Sequence, residues 1–165
     1  MAPADHVVWL DLRSRELRLF RWPQLPSVGD SLLLASGEQH VCPVEGVSTS
    51  ALFVVQALVD GREAQLAVDT GALRTDLMAG AAAALPLLGR SVEADASYTA
   101  GGTVRSRRVA DVTVAVGGIT RTLELGVIPG QPLGGCRRDG HLALDVLRGC
   151  AMALSPWRFA AWCDR

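Results

Sequence analysis

The chain has 165 residues, 49% of them apolar and 20% charged, with 16 basic against 17 acidic side chains and a formal net charge of -1. That balance supports a sizeable core and one ordinary domain or a domain with an appendage, and it argues against a disordered chain. With no long run of either sign, nucleic acid and an anionic membrane surface are excluded as the expected partners.

The N-terminal stretch "HVVWLDLRSRELRLFRWP" alternates apolar residues around an Arg-Ser-Arg centre and reads as a hairpin or two short strands. "PQLPSVGD" follows with the prolines and glycine of a linker. The organisation expected is an N-terminal strand pair over 1–26, a linker over 27–47 and the main lobe over 48–165. The first nine residues lack a basic region followed by a long apolar segment, so no signal peptide is visible. The longest apolar stretch, "LMAGAAAALPLLG", is too short to span a bilayer and contains Pro86. A soluble protein is expected, with the cytoplasm favoured.

"ALFVVQALVDGREAQLAVDT" gives two apolar stretches separated by Asp60-Gly61, a dipeptide suited to a tight hairpin turn. The second stretch runs into "LAVDTGALRTDL", where apolar residues lead straight to Asp69, then Thr70, Gly71 and Ala72. A carboxylate placed there either caps a turn or does chemistry. To activate water it must be partly withdrawn from solvent, yet held by hydrogen bonds that do not neutralise it. Thr70 supplies a hydroxyl, Gly71 a sharp turn and an accessible N–H, and Ala72 a narrow loop. The Thr70 and Gly71 N–H groups are expected to point at the Asp69 carboxylate.

Further on, "TDLMAGAAAALP" is alanine-rich, is stopped by Pro86 and predicts a helix. In "YTAGGTVRSRR", Tyr98 precedes the Gly101-Gly102 pair, a plausible exposed hairpin tip whose simpler reading is a solvated turn. "VADVTVAVGGITRTLELGVIP" repeats the hairpin pattern about Gly117-Gly118: Val112, Val114 and Val116 share one side, and Ile119, Leu123, Leu125 and Val127 share one face of the return strand. A short helical turn falls in "HLALDVLRG". Cys42, Cys136, Cys150 and Cys163 form no C-x-x-C pair, and His6, His40 and His141 have no ligand spacing, so a structural metal is not expected and buried free thiols are the preferred reading. The class is mainly β with one or two short helices.

Taken together, the hairpin delivering Asp-Thr-Gly-Ala at 69–72, Thr75 behind it, the "YTAGGT" stretch and the later "GHLALDVLRG" resemble the retropepsin-like aspartic peptidases, over roughly residues 50–162. The resemblance implies a closed, barrel-like β lobe of the acid protease type, with Asp69 catalytic, Thr70, Gly71 and Ala72 as its loop, and Tyr98, Gly101 and Gly102 on a substrate-covering flap that is the most mobile part of the lobe. It makes Asp145 structural at a helix start. It implies peptide hydrolysis by a water activated between two aspartates, with no metal or cofactor, on a peptide or protein substrate. The chain has one Asp-Thr-Gly, so a second copy or a preceding lobe must supply the second acid. The strand pair near the N-terminus also looks like the terminal strands of such lobes. Val8, Leu10, Leu17 and Leu19 would then lie against Met152 and Leu154.

One departure stands out. Where the family has an apolar-apolar-Gly motif, Leu142 is followed by Ala143, which leaves room for a non-catalytic dimerisation or peptide-binding module of the same fold. An unrelated β domain with a chance motif is the third reading. The substrate pocket is expected to be apolar, as most are.

Overall fold

Turn chemistry and alternation account for most of the strands. The computed structural model describes residues 6–21, 24–44, 47–99, 102–132, 138–156 and 158–164. In chain order they form β1 (His6–Asp11), β2 (Glu16–Arg21), β3 (Leu32–Val44), β4 (Val47–Val59), β5 (Arg62–Val68), β6 (Asp76–Met78), α1 (Leu85–Leu88), β7 (Val92–Thr99), β8 (Gly102–Val116), β9 (Ile119–Ile128), β10 (Gly140–Leu142), α2 (Leu144–Leu147), β11 (Cys150–Leu154) and β12 (Arg158–Cys163). The chain is mainly β with two short helices. Among the described residues, no helix is long and apolar enough to cross a membrane.

The Asp60-Gly61 turn joins β4 to β5 with both residues at positive φ (46° and 77°), as a type I′ hairpin turn requires. Gly117, at φ 56°, turns β8 into β9. The period-2 pattern does what it predicts: Val112, Val114, Val116, Ile119, Leu125 and Val127 are all buried, and Leu123 packs partly buried against them.

The strands run in the order β2-β1-β11-β12-β3-β4-β5-β10-β6-β9-β8-β7. A further pairing of Leu58 and Val59 with Ala115 and Val114 joins β4 to β8. The path β4-β5-β10-β6-β9-β8 thus returns to its start and wraps the main core. Inside this ring β10 is the unusual member. It lies parallel to β5 (Leu142 opposite Val68) and antiparallel to β6 (His141 opposite Asp76), so a late segment of chain is threaded between two early ones.

β3 occupies much of the stretch where a linker is expected. Its first half pairs with β12 and its second half with β4, so it connects the terminal strands to the ring. At the N-terminus β1 lies antiparallel to β11, with Val8 opposite Leu154 and Leu10 opposite Met152. The burial differs from expectation. Val7 and Trp9 are the buried residues of β1, on its other face, where Trp9 stacks on Trp162 with centroids 5.9 Å apart and Leu25 and Val28 pack alongside. Val8 and Leu10 are only half-buried, and Leu17 and Leu19 on the outer strand β2 are exposed.

Two more expectations are corrected. The alanine-rich stretch is not one helix: Asp76–Met78 is a strand paired with β9, turns follow, and α1 covers only Leu85–Leu88, with Pro86 in its first turn rather than ending it. Ala81, Ala83 and Ala84 are buried, so small size under a packed layer, not helix propensity, decides this segment. Cys150 and Cys163, opposite one another on β11 and β12, are joined in a disulfide rather than free. The Cys42 side chain and Cys136 lie outside what is described.

Candidate active site

Asp69 sits one residue past the end of β5, where its N–H donates to Leu142 O at 2.9 Å and continues the β5–β10 ladder by one rung. The residue as a whole is half-buried. Oδ1 accepts the Gly71 N–H at 2.8 Å and the Ala72 N–H at 3.2 Å. The donors are therefore Gly71 and Ala72, not Thr70 and Gly71: with Oδ1 turned back over the loop, the amides two and three residues on meet it, as in an Asx turn. Thr70 is exposed beside them. A Cβ at Gly71 would lie 3.2 Å from Asp69 Oδ1, so close approach to the carboxylate, rather than positive φ, is what favours glycine there. Oδ2 carries no hydrogen bond among the described residues.

The loop is tied from behind. Leu144 N–H donates to Ala72 O at 3.1 Å. Thr75, fully buried, donates its N–H to Asp145 Oδ2 at 2.8 Å and its hydroxyl to Asp145 Oδ1 at 2.6 Å, while Thr75 Oγ1 accepts the Ala143 N–H at 3.1 Å. Asp145 also takes the Val146 N–H at 3.0 Å in the first turn of α2. The buried side-chain polar atoms of this knot are thus matched, and the carboxylate joins two chain segments seventy residues apart. Asp145 faces into this knot, which fits a structural part.

Ala143 belongs to the same knot. It is fully buried, with φ -113° and ψ -172°, an extended conformation open to any residue. The position in this turn that does demand glycine is Gly140, where an added Cβ would run into Asp76 O. Asp139 pins the same end of β10, its carboxylate accepting the Gln65 N–H at 2.8 Å.

β7 and β8 form the expected hairpin, with Tyr98 opposite Thr103 and Thr99 opposite Gly102. The tip, Ala100 and Gly101, and the Tyr98 side chain lie outside what is described, so only the strand pairing of this hairpin is seen.

A second polar pair was not singled out from the sequence. His141 Nδ1 lies 2.9 Å from Asp76 Oδ1, and the His141 N–H donates to the same oxygen at 3.2 Å. The two residues are 65 apart in the chain. The readable signal was a carboxylate at the head of the "DLM" strand, where an apolar residue would be ordinary. Among the described residues, no group of three or more His, Cys, Asp or Glu side chains could hold a metal ion.

No curated protein matches the chain in sequence. Among solved structures it is similar to EIAV protease complexed with the inhibitor HBY-793, at 17% identity and a TM-score of 0.46, over 59% of this chain and 86% of that one. The family model described as aspartyl protease matches residues 55–146, more than half of the chain and the whole of the Asp69 loop with its supporting knot. The chain belongs to the aspartyl protease family, with the retropepsin-like motif at 69–72.

Proposed function

We propose that the chain is an aspartic endopeptidase in which Asp69 supplies one half of a catalytic dyad and a second lobe supplies the other. The observation that carries this reading is the Asp69 carboxylate itself. Asp69 is a half-buried residue just past a strand end, with Oδ1 held by two backbone amides and Oδ2 uncommitted. The two amide donors fix one carboxylate oxygen in place and leave the other to meet water.

A single carboxylate cannot both take a proton from water and give one to the scissile carbonyl in the same step. Two close carboxylates can, because they share one proton; the aspartic proteases are a standard instance of this pairing. The ionised member removes a proton from the lytic water as its oxygen attacks the carbonyl carbon. The protonated member donates to the carbonyl oxygen. On collapse the carboxyl that took the water proton gives it to the leaving nitrogen as the C–N bond breaks. The other carboxylate takes back a hydroxyl proton as the new carboxyl group forms, and no covalent enzyme intermediate arises. A second copy of the chain is the simplest source of the second acid, giving a two-fold dimer with Asp69 facing Asp69. A preceding lobe, of which 1–26 would be the last strands, is the other.

In this reading Thr70, Gly71 and Ala72 shape the loop, and Tyr98, Gly101 and Gly102 belong to a flap over the substrate. The alternative is a non-catalytic peptide-binding or dimerisation module, whose grounds are Ala143, which has an extended backbone that any residue adopts, and the unassigned second acid. The test is Asp69→Asn, nearly isosteric but unable to share the proton. Peptide cleavage, greatest on the acid side of neutrality, should fall by about 10²–10⁴-fold while the fold is kept. Turnover unchanged in the Asn variant would assign the chemistry to another group.

A further inference from the structure

The expectation of an apolar pocket meets an obstacle on the face of the sheet that carries Asp69. Side chains two apart on a strand share a face, so Ala67 and Asp69 lie on the same side of β5, whose ladder to β10 continues through the Asp69 N–H. Across that ladder Ala67 stands opposite His141, His141 opposite Asp76, and Asp76 opposite Gly126 on β9. One row thus reads Ala67, His141, Asp76, Gly126, with the polar pair in the middle and small residues at its ends. A Cβ on Gly126 would lie 3.3 Å from the Asp76 Cβ, so the absence of a side chain there keeps that flank low. The His141 and Asp76 side chains keep 20% and 18% of their surface.

We propose that the His141–Asp76 pair is a specificity element of the Asp69 cleft, selecting peptides that place an amide-bearing side chain, rather than an aliphatic one, beside the scissile bond. The proposal rests on the peptidase reading above. Asp76 Oδ1 is committed to the ring Nδ1 and the backbone N–H of His141, which leaves the ring Nε2 and Asp76 Oδ2 to be solvated or met by ligand. An aliphatic side chain laid on the pair strips that water and returns no hydrogen bond, which is the costly way to desolvate a polar group. An asparagine or glutamine side chain both donates and accepts, so it pairs with Nε2 in either protonation state and with the carboxylate oxygen. Sites built to hydrogen-bond a substrate group reject the analogue lacking it far more strongly than apolar pockets reject a missing methylene.

The test uses matched peptides differing only in Gln or Leu at the residues flanking the scissile bond. The parent chain should favour the Gln peptides in kcat/KM by about tenfold or more. His141→Leu should erase or reverse that preference, and His141→Gln, which retains a hydrogen-bonding tip, should restore it; melting curves check that each variant is folded. Binding of the same peptides to the Asp69→Asn variant, with and without His141→Leu, reads the preference without turnover. Absence of cleavage together with tighter binding of the Gln peptides would fail the peptidase reading and keep the polar subsite. Equal or Leu-favouring behaviour of the parent in both assays, or a preference unchanged in His141→Leu, overturns the proposal.

Discussion

The seam of β5, β10 and β6 and the N-terminal hairpin of β1 and β2 are built from the same kind of strand but held together differently. In the seam, contacts run between residues distant in sequence: Asp69 with Leu142, Thr75 with Asp145, Asp76 with His141. The backbones are close enough that a side chain at Gly140 has no space. In the hairpin the polar contacts begin locally. Arg13 grips Asp11 through Nε and Nη2, both at 2.9 Å, and reaches Ser31 and Asp164 with Nη1. The outer strand leaves Leu17 and Leu19 in solvent. A carboxylate that must be aimed is placed where many distant parts fix it, whereas the hairpin is secured by one buried face and a partly buried fork. Changes to the seam should therefore cost both stability and activity, and changes to the hairpin only a little stability.

The largest contrast comes from Asp145→Ala. It strands the buried Thr75 N–H and hydroxyl and loosens the turn behind Ala72. A loss of about 1–3 kcal/mol in denaturant unfolding is expected from the unpaired buried donors, together with a drop in peptide cleavage. Little change in either would show that the knot does not position the Asp69 loop.

A smaller effect belongs to the hairpin. The hydrogen bonds from Arg13 hold the Asp11 carboxyl below its ordinary value of 3.8, chiefly through the side-chain fork and against a contrary push from burial. A depressed carboxyl contributes stability that is fully present above its unfolded value and is lost as pH falls through the folded one. Asp11→Asn should therefore flatten the acid limb of the stability curve below about pH 4, with an effect at neutral pH of about 0.2–1 kcal/mol, as for a partly exposed ion pair. Cleavage should be untouched; a fall in activity comparable with that of Asp145→Ala would erase the distinction between the two regions.

What was readable in the chain follows the same division. Hairpins are local, and Asp60-Gly61 and the alternation through Val112, Val114 and Val116 gave them away. The Asp69 motif was readable because a hairpin delivers it and Thr75, the "YTAGGT" stretch and "GHLALDVLRG" follow it in order. The seam was not. Its strands β6 and β10 have three residues each, too few for a period to register, and their partners are set by threading rather than by neighbours in sequence. Alanine's helix propensity misdirected the reading of 79–84, where burial of Ala81, Ala83 and Ala84 prevails. The strand over 32–44 was hidden because its two halves serve different partners. His141 offered no ligand spacing, and its link to Asp76 exists only once β10 has been threaded beside β6.

The central claim, that a second acid completes the Asp69 dyad and that a second copy of the chain is its simplest source, is tested most directly by mixing. Parent protein and Asp69→Asn protein are combined at a fixed total concentration, allowed to exchange subunits, and assayed for peptide cleavage. If each active site takes one Asp69 from each of two copies, mixed dimers are inactive, and an equal mixture retains about a quarter of the parent rate, the statistical share of parent dimers. A mixture that retains half the rate, falling in simple proportion to the parent fraction, would mean that each chain works without a second copy and would contradict a dyad shared between two copies.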